Sequence, residues 1–448
     1  MFRLLGSVSL LGYLLGSGVV CLAQDTPSAE QLVNDLACSS CHDGLSVESD
    51  IREKAPDLTQ AGLRFSPDHV YTFVQYPVRI RQHIGSSRMP NFHLDERESL
   101  ALSLYLQDLT PPGSDKPSFV LQKSYEAIRS ANPQVTARIG EDVFKAMNCI
   151  ACHKQESMVE WEHKNAPDLG AEGVRVKRTW LEAFLTKPEP IRPFGFYPGS
   201  GSRHPDFMLS ETEVDTLTRY LLEQKGGDDY PSESFEQEEL LRFSMQKAKD
   251  LLQTKLPCLG CHRLGGEGGR IGPDLSSIGS RLQADFVYQM ISDPQAVMPE
   301  TVMPKVEMPP ATLNLLVNYL MQQDEPRDTS PYLSPIDNTL QFHQDFQEGE
   351  RLYVEYCASC HGINGDGDGY NARYLPKTPT QHSDSSYMST RSDDVLFDAI
   401  FAGGYVMNKS PRMPSWGFTL ERSQIRQLVS YLRHLCRCEG PSWSRRDR

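Results

Sequence analysis

The sequence lacks a surplus of positive charge, a second long apolar run and the alternating pattern of β-strands. Its 448 residues carry 45 Lys and Arg against 59 Asp and Glu, a formal net charge of −14. Binding to nucleic-acid phosphates requires a basic face, so this balance argues against a nucleic-acid partner. It favours protein partners with basic docking surfaces, which an acidic protein attracts at low ionic strength.

Because apolar–polar alternation is nearly absent, the sequence predicts a mainly α fold. The chain is also too long for one ordinary hydrophobic core, and its length alone predicts about three domains.

The N-terminal segment has the composition of a secretory signal peptide. Arg3 precedes the apolar run Leu4–Val20, and the small-x-small sequence Cys21-Leu22-Ala23 follows it. We expect cleavage after Ala23 and a periplasmic or otherwise extracytoplasmic mature protein. Two alternatives remain open. The run stays as a single N-terminal membrane anchor, or Cys21 becomes a lipidated N-terminus.

Eight of the eleven cysteines fall into four copies of the motif C-x-x-C-H. The four histidines are separated by 111, 109 and 99 residues, so the motif marks an internal repeat with a domain-sized period. The copies are Cys38/Cys41/His42, Cys149/Cys152/His153, Cys258/Cys261/His262 and Cys357/Cys360/His361.

This motif is the attachment signature of c-type haem. Its two thiols add to the two vinyl groups of haem, the two intervening residues bring both sulfurs to one porphyrin edge, and the adjacent histidine binds iron. A zinc site would not need a histidine after every second cysteine. A thioredoxin-like pair would occur once, in a βαβ setting. The sequence therefore predicts four covalently attached haem c groups.

A helix is predicted before each motif, and an amphipathic helix is predicted at the end of each repeat. The opening helices are predicted at Ala29–Ala37, Ile139–Met147, Leu240–Leu252 and Glu348–Tyr356. The closing helices are predicted at Glu96–Leu109, Glu211–Gln224, Ala311–Gln322 and Glu421–His434, with a shared tyrosine at Tyr105, Tyr220, Tyr319 and Tyr431.

Each motif thus has a helix before it and a Gly- and Pro-rich loop and a closing helix after it. With a late Met-Pro pair in most repeats, this order resembles four class I cytochrome c domains in tandem. The resemblance covers nearly all of the chain after the signal peptide. The expected organisation is a signal peptide at 1–23, domains at 24–112, 113–228, 235–324 and 342–438, a linker at 325–341 and a tail at 439–448.

In class I domains a proline carbonyl accepts the ring N–H of the iron-binding histidine and fixes its tautomer. The resemblance gives this role to prolines that follow the four histidines by 14, 14, 11 and 15 residues, namely Pro56, Pro167, Pro273 and Pro376. A simple turn with a helix cap is the alternative for the Pro-Asp-Leu sequence of the first three repeats. In repeat four, Asn364, Asp366 and Asp368 imitate a calcium loop, but Leu375 stands where such a loop needs glutamate.

The resemblance also makes a late methionine the second axial ligand of iron. Each such methionine precedes a proline and lies 16 to 18 residues before the closing tyrosine of its repeat. The candidates are Met89, Met303 and Met413, and the competing methionines nearby are Met298, Met308 and Met407.

Repeat two departs from this pattern, because His204 stands 16 residues before Tyr220. An imidazole at this position would give the second haem two histidine ligands and a lower reduction potential than a His/Met haem. Ligation by Met208, with His204 exposed, is the alternative, and an open site at this haem is a third.

These features predict an exported tetrahaem cytochrome that transfers single electrons between respiratory redox partners, as a carrier or as the cytochrome subunit of a membrane complex. The alternative is a haem enzyme, peroxidase-like or acting on sulfur compounds, with its chemistry at the atypical haem of repeat two. We find no acid–base constellation strong enough to favour that enzyme. The sequence leaves open whether Cys436 and Cys438 pair with each other, pair with another chain or stay free.

Overall fold

Helices joined by loops make up the chain, and the predicted mainly α class is confirmed. The structure is a computed structural model that describes residues 27–80, 85–155, 166–191, 203–226, 235–299, 301–324, 334, 336 and 347–444. The expected signal peptide 1–23 and most of the linker 325–341 lie outside these residues. No helix in the described part of the chain is long and apolar enough to span a membrane.

In their described residues, the first two sequence repeats form helices α1 to α10. Helices α1 and α7 lead into the first and second motifs, and helices α5 and α10 close repeats one and two. The bounds are Ala29–Asp35 (α1), Ile51–Lys54 (α2), Ala61–Arg64 (α3), Pro67–Gln75 (α4), Glu96–Asp108 (α5), Lys123–Ala131 (α6), Ala137–Ala146 (α7), Glu172–Arg175 (α8), Arg178–Thr186 (α9) and Glu211–Glu223 (α10).

Repeats three and four form helices α11 to α21 and one short hairpin. The helix bounds are Arg242–Thr254 (α11), Cys258–Cys261 (α12), Ile278–Arg281 (α13), Ala284–Ser292 (α14), Pro294–Val297 (α15), Pro310–Met321 (α16), Glu348–Tyr356 (α17), Ala358–His361 (α18), Ser385–Met388 (α19), Asp393–Val406 (α20) and Arg422–Cys436 (α21). The hairpin pairs strand β1 (Arg263–Leu264) with strand β2 (Glu267–Gly268) in antiparallel register.

All eight opening and closing helices predicted from the sequence are present, with each end within two residues of its prediction. Capping boxes start four of them, at Ser28, Asp95, Ser210 and Glu421. Helices α4, α9 and α14 follow the Pro-Asp-Leu turns and were not predicted.

The opening helices of repeats one and two exchange their packing partners. Helix α7 of repeat two packs on α5, which closes repeat one, and α1 of repeat one packs on α10, which closes repeat two. At the first of these crossings a Cβ atom at Gly140 would overlap the backbone carbonyl of Ala101 and the Cβ atom of Tyr105. In repeat four the equivalent contact, Gly349 against Tyr431, lies within the repeat.

The hydrophobic clusters follow this exchange. One cluster combines Leu100 and Tyr105 of α5 with Val143 and Phe144 of α7. A second combines residues of α1 with Leu217 of α10. We therefore define a first unit, residues 27–48 with 166–226, and a second unit, residues 51–155. These packed units do not coincide with the sequence repeats expected at 24–112 and 113–228.

The third unit (residues 235–324) and the fourth unit (residues 347–444) each follow one sequence repeat. The core of the fourth unit is drawn from residues 352–436. The third unit shares an apolar cluster with the first, because Val176, Leu181 and Leu221 pack together with Leu282 and Leu316.

Two buried ion pairs join the first and second units reciprocally. Arg88 Nη2 lies 2.8 Å from Glu213 Oε1, and Arg203 Nη1 lies 2.8 Å from Glu98 Oε2. The side chain of Glu98 is 0% exposed and that of Arg203 is 6% exposed. Removing one partner of such a pair strands a buried charge, so the pairs favour one fixed arrangement of the two units.

Candidate haem sites

Each C-x-x-C-H motif forms a single turn that gathers its three functional side chains. In every copy the backbone N–H of the histidine donates to the carbonyl of the first cysteine, at 2.9–3.0 Å. None of the eight motif cysteines forms a disulfide. Burial raises the pKa of Cys38, Cys149, Cys152 and Cys357 to about 12 and that of Cys258 to about 11. These side chains are therefore protonated at neutral pH.

The ring nitrogens of the first two motif histidines are hydrogen-bonded across the repeats. His42 Nδ1 lies 2.6 Å from the Pro167 carbonyl oxygen, and His153 Nδ1 lies 2.9 Å from the Pro56 carbonyl oxygen. The expected pairing within each repeat is therefore wrong, although both prolines do contact a motif histidine. Because a carbonyl only accepts, each ring carries its proton on Nδ1 and presents Nε2 as its lone-pair nitrogen.

Repeat three shows the pairing that the sequence leads one to expect. His262 Nδ1 lies 2.8 Å from the carbonyl oxygen of its own Pro273. A neighbouring backbone hydrogen bond repeats this pairing in the first three units, since the leucine of each Pro-Asp-Leu sequence donates its N–H to the carbonyl of the residue after a motif histidine. The pairs are Leu275 with Arg263 in repeat three, and Leu58 with Lys154 and Leu169 with Asp43 across repeats one and two.

One feature of the sequence is consistent with the exchange of packing partners between repeats one and two. The segment from histidine to proline is 14 residues long in repeats one and two and 11 in repeat three. The additional three residues lengthen the connection that crosses from one unit to the other. At about 3.3 Å per extended residue they add roughly 10 Å of reach.

In repeat four the expected role of Pro376 is wrong. His361 Nδ1 lies 2.9 Å from the carbonyl oxygen of Thr380 instead. The loop after the motif makes tight turns at glycines with positive φ, Gly362, Gly365 and Gly367, and the Gly367 N–H donates to the His361 carbonyl at 2.7 Å. This coiling uses up chain length, so the segment reaches the histidine ring four residues later than expected.

His382 is a further half-buried residue at the fourth site. Its ring stacks on that of His361 with centroids 4.1 Å apart and an angle of 15° between the planes. The Tyr353 hydroxyl lies 3.0 Å from His382 Nδ1. Burial lowers the pKa of His382 well below its usual value, so this ring is neutral at neutral pH. Sequence reasoning missed His382 because it belongs to no motif.

His204 lies close to His42 of the first motif. The two ring centroids are 6.3 Å apart, and Phe184 and Phe207 contact His204 edge-on at 5.1 and 6.2 Å. The expectation that His204 belongs with His153 is therefore wrong. Burial lowers the pKa of His42 to about 4 and that of His204 to about 3, so both imidazoles are in the neutral form that binds metal ions.

The spacing of these two rings fits one metal ion between them. A metal–imidazole bond is about 2.0 Å long and the ring nitrogen lies roughly 1.1 Å from the centroid, which together separate two centroids by about 6 Å. The competing residue Met208 points elsewhere, since its side chain is 43% exposed.

The loops that carry Met89 and His204 share one backbone conformation. Asn91 and Asp206 pair through two backbone hydrogen bonds of 2.8 Å, and each side chain accepts the backbone N–H two residues on. Those two residues, His93 and Met208, both have φ of 52°. The exchange of methionine and histidine between the loops thus changes which side chain enters a site, without changing the loop itself.

The three candidate methionines occupy different units. Met89 packs on the cluster of the second unit together with Met147 and Cys149, so it accompanies His153 rather than His42. Met303 and His262 line the same cavity, whereas Met298 and Met308 also pack against the core of that unit. Met413 packs on the fourth core, as Cys357 does, and Met407 instead ends helix α20.

One cavity of about 2070 Å³ reaches the first three motifs. Their cysteines and histidines line it, together with Met89, His204 and Met303. It fits apolar cofactors that lie close together, because most of its remaining lining is aliphatic and aromatic.

Near the C-terminus, Cys436 and Cys438 form a disulfide with each other, which answers the question left open by the sequence.

Two stretches of the chain, residues 137–225 and 346–436, match the family model of cytochrome c. These two stretches are cytochrome c domains, which support a multihaem c-type cytochrome and indicate a haem-binding electron-transfer or redox protein. Covalent haem c is implied by these domains, and the cysteine pairs of the motifs are compatible with it. The first matched stretch covers one sequence repeat, although its opening segment packs in the second unit and its remainder in the first.

No curated protein is significantly similar to the chain. A chain of the reducing HAO-like protein complex of Kuenenia stuttgartiensis shows 18% sequence identity, with 45% of this chain and 99% of that chain covered, at a TM-score of 0.17. A score this low supports no conclusion about the present chain.

Proposed function

We propose that this chain is an exported tetrahaem cytochrome that passes single electrons between redox partner proteins of a respiratory chain. When bound, each haem iron stores one electron by changing between its ferric and ferrous states. Eight cysteines would hold the four haems. The residue pairs that would hold the four irons are His42 with His204, His153 with Met89, His262 with Met303, and His361 with Met413.

The neighbouring rings of His42 and His204 are the observation that carries this proposal. An electron-transfer haem keeps both axial positions occupied, so that little moves when its charge changes. An enzyme that binds a small substrate at iron needs one open position. At the one atypical site the chain supplies two neutral imidazoles at a separation that fits iron, which favours electron transfer over catalysis there.

The chain's own residues set how the haems differ. A second imidazole stabilises ferric iron more than a thioether does, so the haem of the first motif is expected to have the lowest reduction potential of the four. Carbonyl groups of Pro167, Pro56, Pro273 and Thr380 hold the four motif histidines in one tautomer, which makes Nε2 more basic.

The same proposal includes the export of this protein and the kind of redox partner that it binds. The apolar N-terminal segment supports a periplasmic or other extracytoplasmic location. The net charge of −14 supports redox partners that carry basic docking surfaces, either as soluble proteins or within a membrane complex.

Spectroscopy of the purified holoprotein tests this function. We expect a haem content of four per chain and, in the ferric protein, low-spin signals from one bis-histidine haem and three His/Met haems. His204→Met should convert the bis-histidine signal into a fourth His/Met signal. The matched control Met208→Leu should leave all four signals unchanged, because Met208 is an exposed side chain on the same loop.

A high-spin signal in the unmodified protein, or rapid binding of carbon monoxide to one haem, would contradict the electron-transfer function and favour an enzyme. Unchanged ligation in His204→Met would show that another residue completes this site.

A further inference from the structure

We propose that the four haems follow the spatial order two–one–three–four, each haem being numbered by its motif, so that the haem of the second motif is terminal. This proposal rests on the attachment of four haems proposed above. It departs from the order in the sequence because the first two opening segments exchange partners.

The first and second motifs are direct neighbours. Asn148, which immediately precedes Cys149, adopts a left-handed conformation with φ of 51°. Its side-chain Nδ2 lies 3.6 Å from the Sγ atom of Cys41. Since Cys41 and Cys149 would each hold a haem, the attachment points of haems one and two would be neighbours.

The third and fourth motifs meet through a similar asparagine. Asn371 is fully buried, and its Nδ2 donates to the carbonyl of Gly260 at 2.9 Å and lies 3.2 Å from Cys360 Sγ. Its Oδ1 accepts the backbone N–H of Arg270 at 2.8 Å. Gly260 stands inside the third motif, so haems three and four are also neighbours.

The link between these two pairs decides the order. Residues 175–177 of repeat two lie antiparallel to residues 281–283 of repeat three. Val176 pairs with Leu282, the Lys177 N–H donates to the Arg281 carbonyl at 2.9 Å, and the Gln283 N–H donates to the Arg175 carbonyl at 2.9 Å. Both strand segments belong to one apolar cluster, so this junction is part of the core.

The junction joins the third unit to the first unit, although it uses residues of repeat two. Within the first unit, the part of repeat two that forms this junction also supplies Pro167 and His204, which contact the histidine of the first motif. If the repeats were folded separately, this junction would place haem two next to haem three. Because the repeats exchange partners, haem one lies next to haem three instead. Haem two then lies on the side of haem one that faces away from haem three.

A functional consequence follows for the route of electrons. With haem held at all four motifs, haem one would lie between haem two and the other pair. The two imidazoles of His42 and His204 would give haem one a low potential, which would slow electron exchange between haem two and haems three and four.

Zero-length cross-linking of the unmodified holoprotein tests the exchange. Lys154, directly after the second motif, forms an ion pair of 2.8 Å with Glu53 of repeat one, and both side chains are accessible at 44% and 74% exposure. A carbodiimide should link them in a product with the mass of a monomer. The internal control is the exposed pair Lys116–Asp108, also at 2.8 Å, which should link whether or not the repeats exchange partners.

A second measurement assigns the bis-histidine haem to a motif. The variant Cys38→Ala with Cys41→Ala should lose the bis-histidine signal of the ferric protein, whereas Cys149→Ala with Cys152→Ala should retain it. If each repeat folded on its own, Cys149→Ala with Cys152→Ala would lose the bis-histidine signal and Cys38→Ala with Cys41→Ala would retain it. A Lys116–Asp108 link without the Lys154–Glu53 link would overturn the proposed order, even if either haem variant failed to fold.

The two proposals can fail separately. A haem content below four per chain contradicts the tetrahaem function, while the cross-link still reports on the exchange. Four haems without the Lys154–Glu53 link would contradict only the order.

Discussion

We expect Arg203→Met to destabilise the packed first and second units by about 3–5 kcal/mol, the usual cost of stranding one partner of a buried ion pair. The guanidinium of Arg203 contacts both carboxylate oxygens of Glu98, at 2.8 and 3.1 Å. Glu98 is completely buried, and its Oε2 also accepts the Asp95 N–H that starts helix α5. Methionine keeps the apolar bulk of the arginine stem but leaves the carboxylate without its cation.

The control is Arg219→Met in helix α10 of the first unit. Arg219 forms an ion pair of 2.6 Å with Asp215, but the two side chains are 68% and 46% exposed. Solvent screens such a pair, so we expect its loss to cost under about 1 kcal/mol. The difference between the two variants isolates the effect of burial, because both remove one arginine and add one methionine.

Guanidinium titration of the holoproteins measures this difference. Haem absorbance and tryptophan fluorescence should be followed together, because a protein of several units need not unfold in one step. Equal transition midpoints for Arg203→Met and Arg219→Met would refute the reasoning. The double variant Arg203→Met with Glu98→Gln should recover part of the loss, since it removes the stranded charge and keeps a polar group at the helix start.

Two further predictions follow from the same interface. Gly140→Ala should destabilise the second unit by about 1–3 kcal/mol, because the new Cβ atom would overlap the Ala101 carbonyl. Gly349→Ala should destabilise the fourth unit instead. Hydrogen exchange measured separately for each unit distinguishes the two effects. Burial would raise the pKa of Glu213, but hydrogen bonds from Ser210 and Arg88 hold that pKa below its ordinary value of 4.5. This stabilisation is present above that value and is lost as the pH falls through the lower folded pKa, so Glu213→Gln should flatten the fall in unfolding midpoint under acid conditions. An acid response identical to that of the unmodified protein would contradict the role of Glu213.

The parts of the site that were predicted correctly depend on local sequence. The turn that gathers Cys38, Cys41 and His42 needs only the spacing within the motif, and the same holds for the other copies. The closing helices were predicted because their apolar periodicity and their capping residues lie within the helices themselves.

The parts that were predicted wrongly depend on which segment lies opposite which. Pro56 and Pro167 both stand 14 residues after a motif histidine, and each can serve either ring. The choice is made by contacts far apart in the sequence, such as Arg203 with Glu98, and no local pattern reveals them. Pro376 failed for another reason, since the glycine turns after His361 shorten the path of the loop.

The sequence by itself determined the candidate chemistry of this protein. Four C-x-x-C-H motifs, a closing helix in each repeat and the replacement of methionine by His204 predict attachment of haem and one unusual ligand. The tertiary structure alone decided which motif histidine lies beside His204. Because the repeats resemble one another, local sequence does not specify which opening segment meets which closing half, and the buried pairs and crossing hydrogen bonds stabilise the exchanged arrangement. They bring His204 to His42 rather than to His153, which places the unusual site at the first motif.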